Sequence, residues 1–312
     1  MIATVTLNPS LDEWMQLDTL RVGGLNRATG FARYPGGKGI NVSRVIHELG
    51  GSTIAYGVAG GEDGLILREL MNRLAIPHEF LTVQGTTRNN YKIRTVRPRA
   101  LTEINAAGPA VSAGHLSALA RRLMRRRPPF RCVAFCGSLP PGAPETIYRS
   151  WIRALRLRGI LAVLDASGAA LKYGIAGRPW CIKPNRQEAE ELLGRRLTRP
   201  KALIAAAQEL LLCGPAISIL SLGREGAVLA SSSPSGVWMA RPPVMRVDSA
   251  VGAGDSLVGG FLVGWAKGLT LLESFRLGVA CGTASAMSRG TELCHRIDVQ
   301  RIRPRVTIRQ VA

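Results

Sequence analysis

The chain has 312 residues, enough for one large α/β domain or a large domain with a small appendage. Hydrophobic residues make up 46%, which permits a sizeable core and argues against disorder, while only 5% aromatics argue against a stacking surface for nucleic acid. The formal net charge of +20 rests on 41 basic residues, only six of them lysines, with arginines clustered at 121–127, 153–158, 195–199 and 301–309; scattered in this way, the clusters read as solvated faces with non-specific polyanion affinity rather than a specific nucleic-acid groove.

The N-terminal MIATVTLNPS has no basic region followed by an apolar core, and no apolar run reaches membrane-spanning length, so a cytoplasmic protein without membrane contact is expected. Cys132, Cys136, Cys181, Cys213, Cys281 and Cys294 form no C-x-x-C pair and lie mostly in apolar segments, the pattern of buried free thiols. The four histidines are scattered without metal-ligand spacing.

IATVTL reads as a buried strand, and 40–49 as a helix with one apolar face. Short apolar strands then alternate with helical stretches: strand 53–59, helices 62–74 and 112–126, strand 132–136, helix 144–157 and strand 161–165. Strand 180–183, helices 185–193 and 200–212 and strand 216–221 follow, and helices at 254–267, 270–288 and 298–304 close the chain. This alternation predicts an α/β fold with a mainly parallel central sheet covered by helices on both faces. Ligands in such folds gather beyond the carboxyl ends of the strands. Segments 11–34 and 88–106 lack helical periodicity and predict a small β-sheet lid with one uncovered face, outside a main domain of 1–10, 35–87 and 107–312. That face predicts a homodimer contact.

Within SAVGAGDSLVGGFLVGW (249–265), Asp255 follows Gly252, Ala253 and Gly254 and precedes an apolar run. Asp is a common helix cap; equally, two glycines at a helix start suit an anion such as phosphate, beside which an acid needs a task. YPGGKGINVSR (34–44) repeats the theme with Gly36, Gly37 and Gly39 around Lys38. Asp12 and Asn41 can bond sugar hydroxyls, although each is also an ordinary turn or cap residue. TTRNNYKIR (86–94) sets Arg88, Asn90 and Lys92 on one strand face, either solvated or reading a phosphate. CGSLPPGAP, with Ser138, follows a buried strand. CIKPNRQEAEELLG offers Lys183, then Asn185 and Glu188, which suit a capping box or an oxygen-rich site for Mg²⁺ beside nucleotide phosphates. SLGREGA is a further glycine loop after a strand. No G-x-x-x-x-G-K-[ST] loop is present.

In order, TLNPxxD, PGGKGIN, TRxNxK, TEIN, GSLP, KPNxxE, SLGxxGA and VGAGDS resemble the ribokinase-like sugar kinases of the PfkB type, from residue 2 to about 295. TLNPSLD, PGGKGIN and TEIN resemble the phosphofructokinase and tagatose-phosphate kinase branch. GTELC (290–294) is more similar to the minor bacterial 6-phosphofructokinase, whereas GLNR and Lys38 are more similar to the 1-phosphofructokinases. The resemblance implies that Asp255 is the catalytic base and that the amides of Gly252, Ala253, Gly254 and Asp255 form the anion hole. It also implies a sugar pocket of Asp12, Gly37, Lys38, Asn41 and Ser138, with Arg88, joined by Arg27 and Lys92, on the acceptor's phosphate. Lys183 and Asn185, with Ser221, Gly223 and Gly226, border ATP by the same resemblance, and Asn185 and Glu188 organise Mg²⁺, directly or through water. A monovalent cation such as K⁺ is implied at the backbone around Ser249 and Val251 and at SRGT (288–291).

One departure is Pro98 with its flanking arginines, where the lid strands should turn; proline disfavours a two-residue hairpin and predicts a lid of different shape. The expected activity is an ATP- and Mg²⁺-dependent phosphofructokinase making fructose 1,6-bisphosphate from the 6- or the 1-phosphate. The alternatives are a tagatose-6-phosphate kinase, another sugar kinase, and a non-catalytic sugar-phosphate sensor or polyanion-binding protein.

Overall fold

The structure, a computed structural model, describes residues 1–288 and 290–312. In chain order its elements begin β1 (Ile2–Thr6), β2 (Ser10–Leu17), β3 (Gly30–Gly36), α1 (Lys38–Glu48), β4 (Thr53–Ala59), α2 (Gly61–Arg73), β5 (His78–Thr82), β6 (Arg88–Thr95), β7 (Ala100–Asn105) and α3 (Ala113–Arg125). The middle of the chain gives β8 (Cys132–Cys136), α4 (Ile147–Arg156), β9 (Leu161–Asp165), α5 (Gly168–Gly174), β10 (Cys181–Ile182), α6 (Arg186–Leu193), α7 (Pro200–Leu212) and β11 (Ile217–Ser221). The C-terminal part adds β12 (Ala227–Ser232), β13 (Ser235–Arg241), α8 (Ala253–Ala266), α9 (Leu271–Met287), α10 (Arg296–Ile302) and β14 (Thr307–Gln310).

The main sheet has ten strands in the order β14-β13-β12-β11-β10-β9-β8-β1-β4-β5. From β11 to β5 every pairing is parallel, and β12, β13 and β14 extend one side antiparallel. β1 and β8 are fully buried, which explains why their sequences run apolar rather than alternating. One layer of helices, α3, α4, α5 and α7, shares a hydrophobic cluster with one face of the sheet. α1, α8, α9 and α10 share a second cluster with the other face. In α4 the buried Tyr148, Trp151, Ile152 and Leu155 follow the spacing that gives a helix one apolar stripe. The parallel sheet and both helical layers are those expected from the sequence; β5, the β12–β13 hairpin, β14 and α5 are not anticipated by it.

The second sheet has four strands in the order β3-β2-β6-β7. β2 pairs antiparallel with β3 and parallel with β6, and β6 pairs antiparallel with β7. Around Pro98 the connection takes four residues, 96–99, instead of a two-residue turn, and the pairing from Thr95↔Ala100 to Asn90↔Asn105 is regular. The predicted departure is therefore confined to the turn. On the face directed away from the main sheet, Phe31, Tyr91 and Ile104 are exposed.

Candidate active site

The chain runs from β1 through β4 to β5 in one direction and from β8 through β11 in the other, so strand order reverses beside β1. The cleft lies along the carboxyl ends of these strands, as this topology dictates. Asn8 follows β1, Gly137 and Ser138 follow β8, Asp165 ends β9, Lys183 follows β10 and Ser221 ends β11. With the starts of α1 and α8 and one face of the small sheet, these residues line a cavity of about 1410 Å³. That is room for two substrates at once.

Asp255 stands in the first turn of α8 and is buried. Its Oδ2 accepts a hydrogen bond from Asn41 Nδ2 at 2.8 Å, which ties the start of α8 to α1. Burial, reinforced by the nearby charge of Asp165, pushes the Asp255 carboxyl up to about 6, although Lys38, Asn41 and Lys183 restrain the rise. A group poised near neutrality can take a proton at physiological pH. Asp255 makes no cap here, since α8 has no side-chain cap and Gly252 occupies the N-cap with φ of 75°. Of the turn's amides, Ala253 N–H is spent on Ala250 O at 3.3 Å. Those of Gly254 and Asp255, which no intrahelical carbonyl can reach, stay free for an anion. A Cβ on Gly254 would lie 3.2 Å from Lys183 Nζ, so the ammonium rests directly on the turn.

Sequence reasoning missed Asp165. It is fully buried and its Oδ1 receives Lys38 Nζ at 3.1 Å and Lys183 Nζ at 3.2 Å. Burial alone would raise its pKa, but Lys183 and Lys38 outweigh burial and hold the carboxyl below the ordinary carboxylate range. Burial likewise works to lower the pKa of Lys38; Asp165, then Glu188 and Asp255, overcome it and hold the ammonium firmly charged. A lone acid closing the buried strand LAVLD, where ligand loops begin, was the signal that could have found it.

The other end of the cleft is built on the small sheet. Asp12 accepts from Ser10 Oγ at 2.9 Å and faces Lys92 Nζ at 3.5 Å; Lys92 also reaches Glu103 at 3.7 Å. Arg88 donates through Nη2 to Asn8 O at 3.0 Å and through Nη1 to Ala106 O at 3.2 Å, while its buried Nε has no partner. Burial, only partly countered by Asp12, lowers the Arg88 pKa. A guanidinium held by two neutral carbonyls, with a donor to spare, suits an anion that supplies the missing charge. Ser138 accepts from Asn8 Nδ2 at 3.1 Å beside it.

Asn185 and Glu188 form a reciprocal capping box on α6, each side chain accepting the other's backbone N–H at 2.8 Å. The Glu188 Oε1 left over lies 3.6 Å from Lys38 Nζ. Among the described residues no group of three His, Cys, Asp or Glu side chains could hold a metal. The donor set nevertheless fits Mg²⁺ carried mainly by phosphates and water: Asp165 Oδ2 is buried without a partner, and Glu188 Oε1 is engaged only by the Lys38 ammonium. Ser221, Gly223 and Gly226 line the cleft, as do Lys183 and Asn185. Of the residues expected at the site, Asp12, Gly37, Lys38, Asn41, Arg88, Lys92 and Ser138 line the cleft, as do Gly252, Ala253, Gly254 and Asp255. Two do not. Arg27 is exposed in the β2–β3 connection, and Glu188 stands behind the cleft wall. Within SRGT, Arg289 lies outside the described residues.

Residues 5–297 match the pfkB family carbohydrate kinase description. The 1-phosphofructokinase of Bacillus subtilis (strain 168) is 36% identical over 308 residues, 99% of each chain. The ATP-dependent 6-phosphofructokinase isozyme 2 of Mycobacterium tuberculosis (strain H37Rv) is 33% identical over 302 residues, 96% of this chain and 88% of that one. Escherichia coli phosphofructokinase-2, whose crystal structure holds substrates and products, superposes with a TM-score of 0.92 at 33% identity, over 97% of this chain and 98% of that one. The same protein has also been solved with potassium and as a tetrameric inhibited form. With the match running through nearly the whole chain and every glycine turn of the cleft, this protein belongs to the pfkB family of carbohydrate kinases.

Proposed function

We propose that this chain is an ATP-dependent phosphofructokinase that transfers the γ-phosphoryl group of ATP to a fructose monophosphate, giving fructose 1,6-bisphosphate and ADP. The observation that carries this reading is the cleft's two-ended chemistry. A buried carboxylate with raised pKa stands over a glycine-rich helix start at one end, and an under-satisfied arginine with a buried lysine stands at the other. A neutral sugar has no use for Arg88, which is held only by neutral carbonyls, whereas a phosphorylated one supplies its counter-charge beside the Lys92 ammonium.

The chemistry follows from these placements. Asp255 takes the proton of the acceptor hydroxyl as its oxygen bonds to the γ-phosphorus, the bridging P–O bond breaks and ADP leaves. The free amides of Gly254 and Asp255, with the Lys183 ammonium, meet the charge on the phosphoryl oxygens in flight. Asn41 orients the Asp255 carboxylate, and Asp12 and Ser138 fix the sugar. Asp165 and, through water, Glu188 would hold Mg²⁺ carried on ATP, and the ion would supply neutralisation of phosphate charge. A monovalent cation at the backbone around Ser249 and Val251 remains part of this reading, which also expects a cytoplasmic protein, where ATP and phosphorylated sugars meet. We treat 11–34 and 88–106 as a lid over the acceptor, joining two copies into a dimer through its outer face.

Fructose 1-phosphate, phosphorylated at O6, is the acceptor favoured by the 36% identical relative that spans the whole chain. Fructose 6-phosphate, phosphorylated at O1, is the second reading, supported by the TM-score of 0.92 to phosphofructokinase-2. A coupled ADP-release assay over fructose 1-phosphate, fructose 6-phosphate, tagatose 6-phosphate and unphosphorylated sugars tests both. Arg88→Ala should weaken acceptor binding by about 1.5–3 kcal/mol, tenfold or more, with ATP nearly unaffected. Arg125→Ala, on an exposed helix end, should leave both Michaelis constants unchanged. Equal losses from the two variants would replace the phosphate site with diffuse attraction.

A further inference from the structure

Strand β6 carries Arg88 and Lys92 at the acceptor end of the cleft, and two residues beyond Lys92, on the same face, comes Arg94. Its guanidinium does not enter the cleft. It spans to Asp248, donating through Nη1 to Asp248 Oδ2 and, at 3.4 Å, to Asp248 O. Arg99, in the β6–β7 turn, completes the grip from the other side, donating to Asp248 Oδ1 at 3.2 Å and to Val247 O at 3.0 Å. Both carboxylate oxygens of one aspartate are thus held by two arginines of the small sheet. Arg94 and Asp248 are largely shielded from water, with side chains 19% and 23% exposed, so this pair is screened less than a surface ion pair.

Asp248 lies in the irregular segment between β13 and α8, which has no secondary structure of its own from 242 to 247. This segment forms the nucleotide rim of the cleft through Val247, Ala250 and Val251, and leads directly into the Gly252 turn. On its far side it is tied to the end of α9, where the amides of Asp248 and Ser249 donate to Ala286 O at 2.7 and 3.2 Å. The rim is therefore fixed between α9 and the small sheet, and the latter attachment is ionic and made by the strand that also faces the acceptor.

We propose that Arg94 and Arg99 are positioning residues that set the nucleotide rim through Asp248, so that an acceptor held on β6 tightens the binding of ATP. The proposal rests on the functional reading above. Acceptor phosphate on Arg88 and Lys92 settles β6 against the main sheet; Arg94 and Arg99 then hold the rim in its nucleotide-ready position. Coupling of this kind is reciprocal, so ATP should tighten acceptor binding by the same factor.

The test is calorimetric titration with the non-transferable analogue adenylyl imidodiphosphate and Mg²⁺, with and without saturating fructose phosphate. The wild type should bind the analogue roughly fivefold or more tightly when acceptor is present, within the usual range of site–site coupling. Arg94→Met and Asp248→Asn should each bring that ratio close to one while binding without acceptor stays within about twofold, and the double variant should match either single one. Arg99→Gln, at the more exposed half of the grip, should lower the ratio partway and gives a reading if the other variants fold poorly. A wild-type ratio of one, a wild-type ratio retained in Arg94→Met or Arg99→Gln, or additive losses in the double variant would overturn the proposal. Turnover of the fructose phosphate by the same wild-type preparation keeps the two claims separate: its absence strikes the functional reading, whereas turnover with an unchanged ratio in the variants strikes the clamp.

Discussion

The Asp255 carboxyl shows how one residue's environment turns composition into chemistry. Its ordinary pKa of 3.8 is pushed to about 6 by burial and by Asp165. The folded protein therefore binds more protons than the unfolded chain between those values, and stability falls as pH rises through that window. Above it the ionised form, which the proposed role as base requires, is held at a cost to stability. Asp255→Asn should accordingly lose about a thousandfold or more in turnover yet resist urea better at pH 8, by about 1–3 kcal/mol. The acid limb of the wild-type rate profile should lie near pH 6. Lys38 lowers the Asp255 pKa and Asp165 raises it, so Lys38→Met should move the limb up and Asp165→Asn should move it down. Limbs that stay in place in both variants would show that another group sets the profile. Much of this site was legible because its residues sit in short contiguous motifs: Asp255 in its glycine turn, Lys38 in another, Arg88 and Lys92 alternating on a strand. Asp165 and Asp248 were not, since their importance lies in partners 127 and 154 residues away along the chain. Glu188 was read both as a capping-box partner and as part of an Mg²⁺ site, and the structure shows the capping box.

Among the elements, α8 carries the same economy into packing. Gly259 and Gly260 are not needed for the anion turn, and helix propensity alone would favour alanine at either by about 1 kcal/mol. A Cβ on Gly260 would meet Cys281 Sγ at 2.5 Å and Gly278 Cα at 3.0 Å, and one on Gly259 would meet Val45 at 2.7 Å. The helix is thereby clamped between α1 and α9, which keeps Asp255 in register with Asn41. Overpacking of this kind costs about 1–3 kcal/mol and outweighs the propensity gain. Gly260→Ala should lower the urea midpoint, whereas Gly114→Ala, exposed near the start of α3 with only Ser112 Oγ at 3.5 Å, should raise it slightly. Midpoints that rise in both would mean that α8 shifts freely against α9. Helices were legible in the sequence for the reason that makes α8 sensitive: each keeps one apolar stripe or is apolar throughout. The central strands were legible as short apolar runs. β12, β13 and β14 were not, because four- to seven-residue strands toward a sheet edge are defined by the neighbour that pairs with them rather than by their own pattern.

At the scale of the whole molecule, a net charge of +20 opposes any association of two copies, so a dimer must use a face where that charge is absent. The charge is unevenly spread: residues 106–164 hold ten arginines and one acid, Glu145. The β2–β3 hairpin with its connection, by contrast, balances Asp12, Glu13 and Asp18 against Arg21, Arg27 and Arg33. On the small sheet's outer face Arg33 is paired with Glu13 at 2.6 Å, and Arg88, Lys92 and Arg94 point to the opposite face through strand alternation. What that outer face offers is Phe31 at 58% exposure, Ile104 at 54% and Tyr91 at 38%, a neutral apolar surface on an otherwise basic molecule. Self-association through it should be driven by apolar burial and opposed by long-range repulsion, so it should strengthen with salt, since the Debye length falls from about 30 Å at 0.01 M to about 8 Å at 0.15 M. Light scattering at micromolar concentration should show a dimer at 0.15 M salt and partial dissociation at 0.01 M. Ile104→Asp should give a monomer at both, because it buries a charge in the centre of the contact. A dimer that weakens as salt rises, or one indifferent to Ile104→Asp, would place the interface on ion pairs elsewhere and leave the lid's outer face without this role.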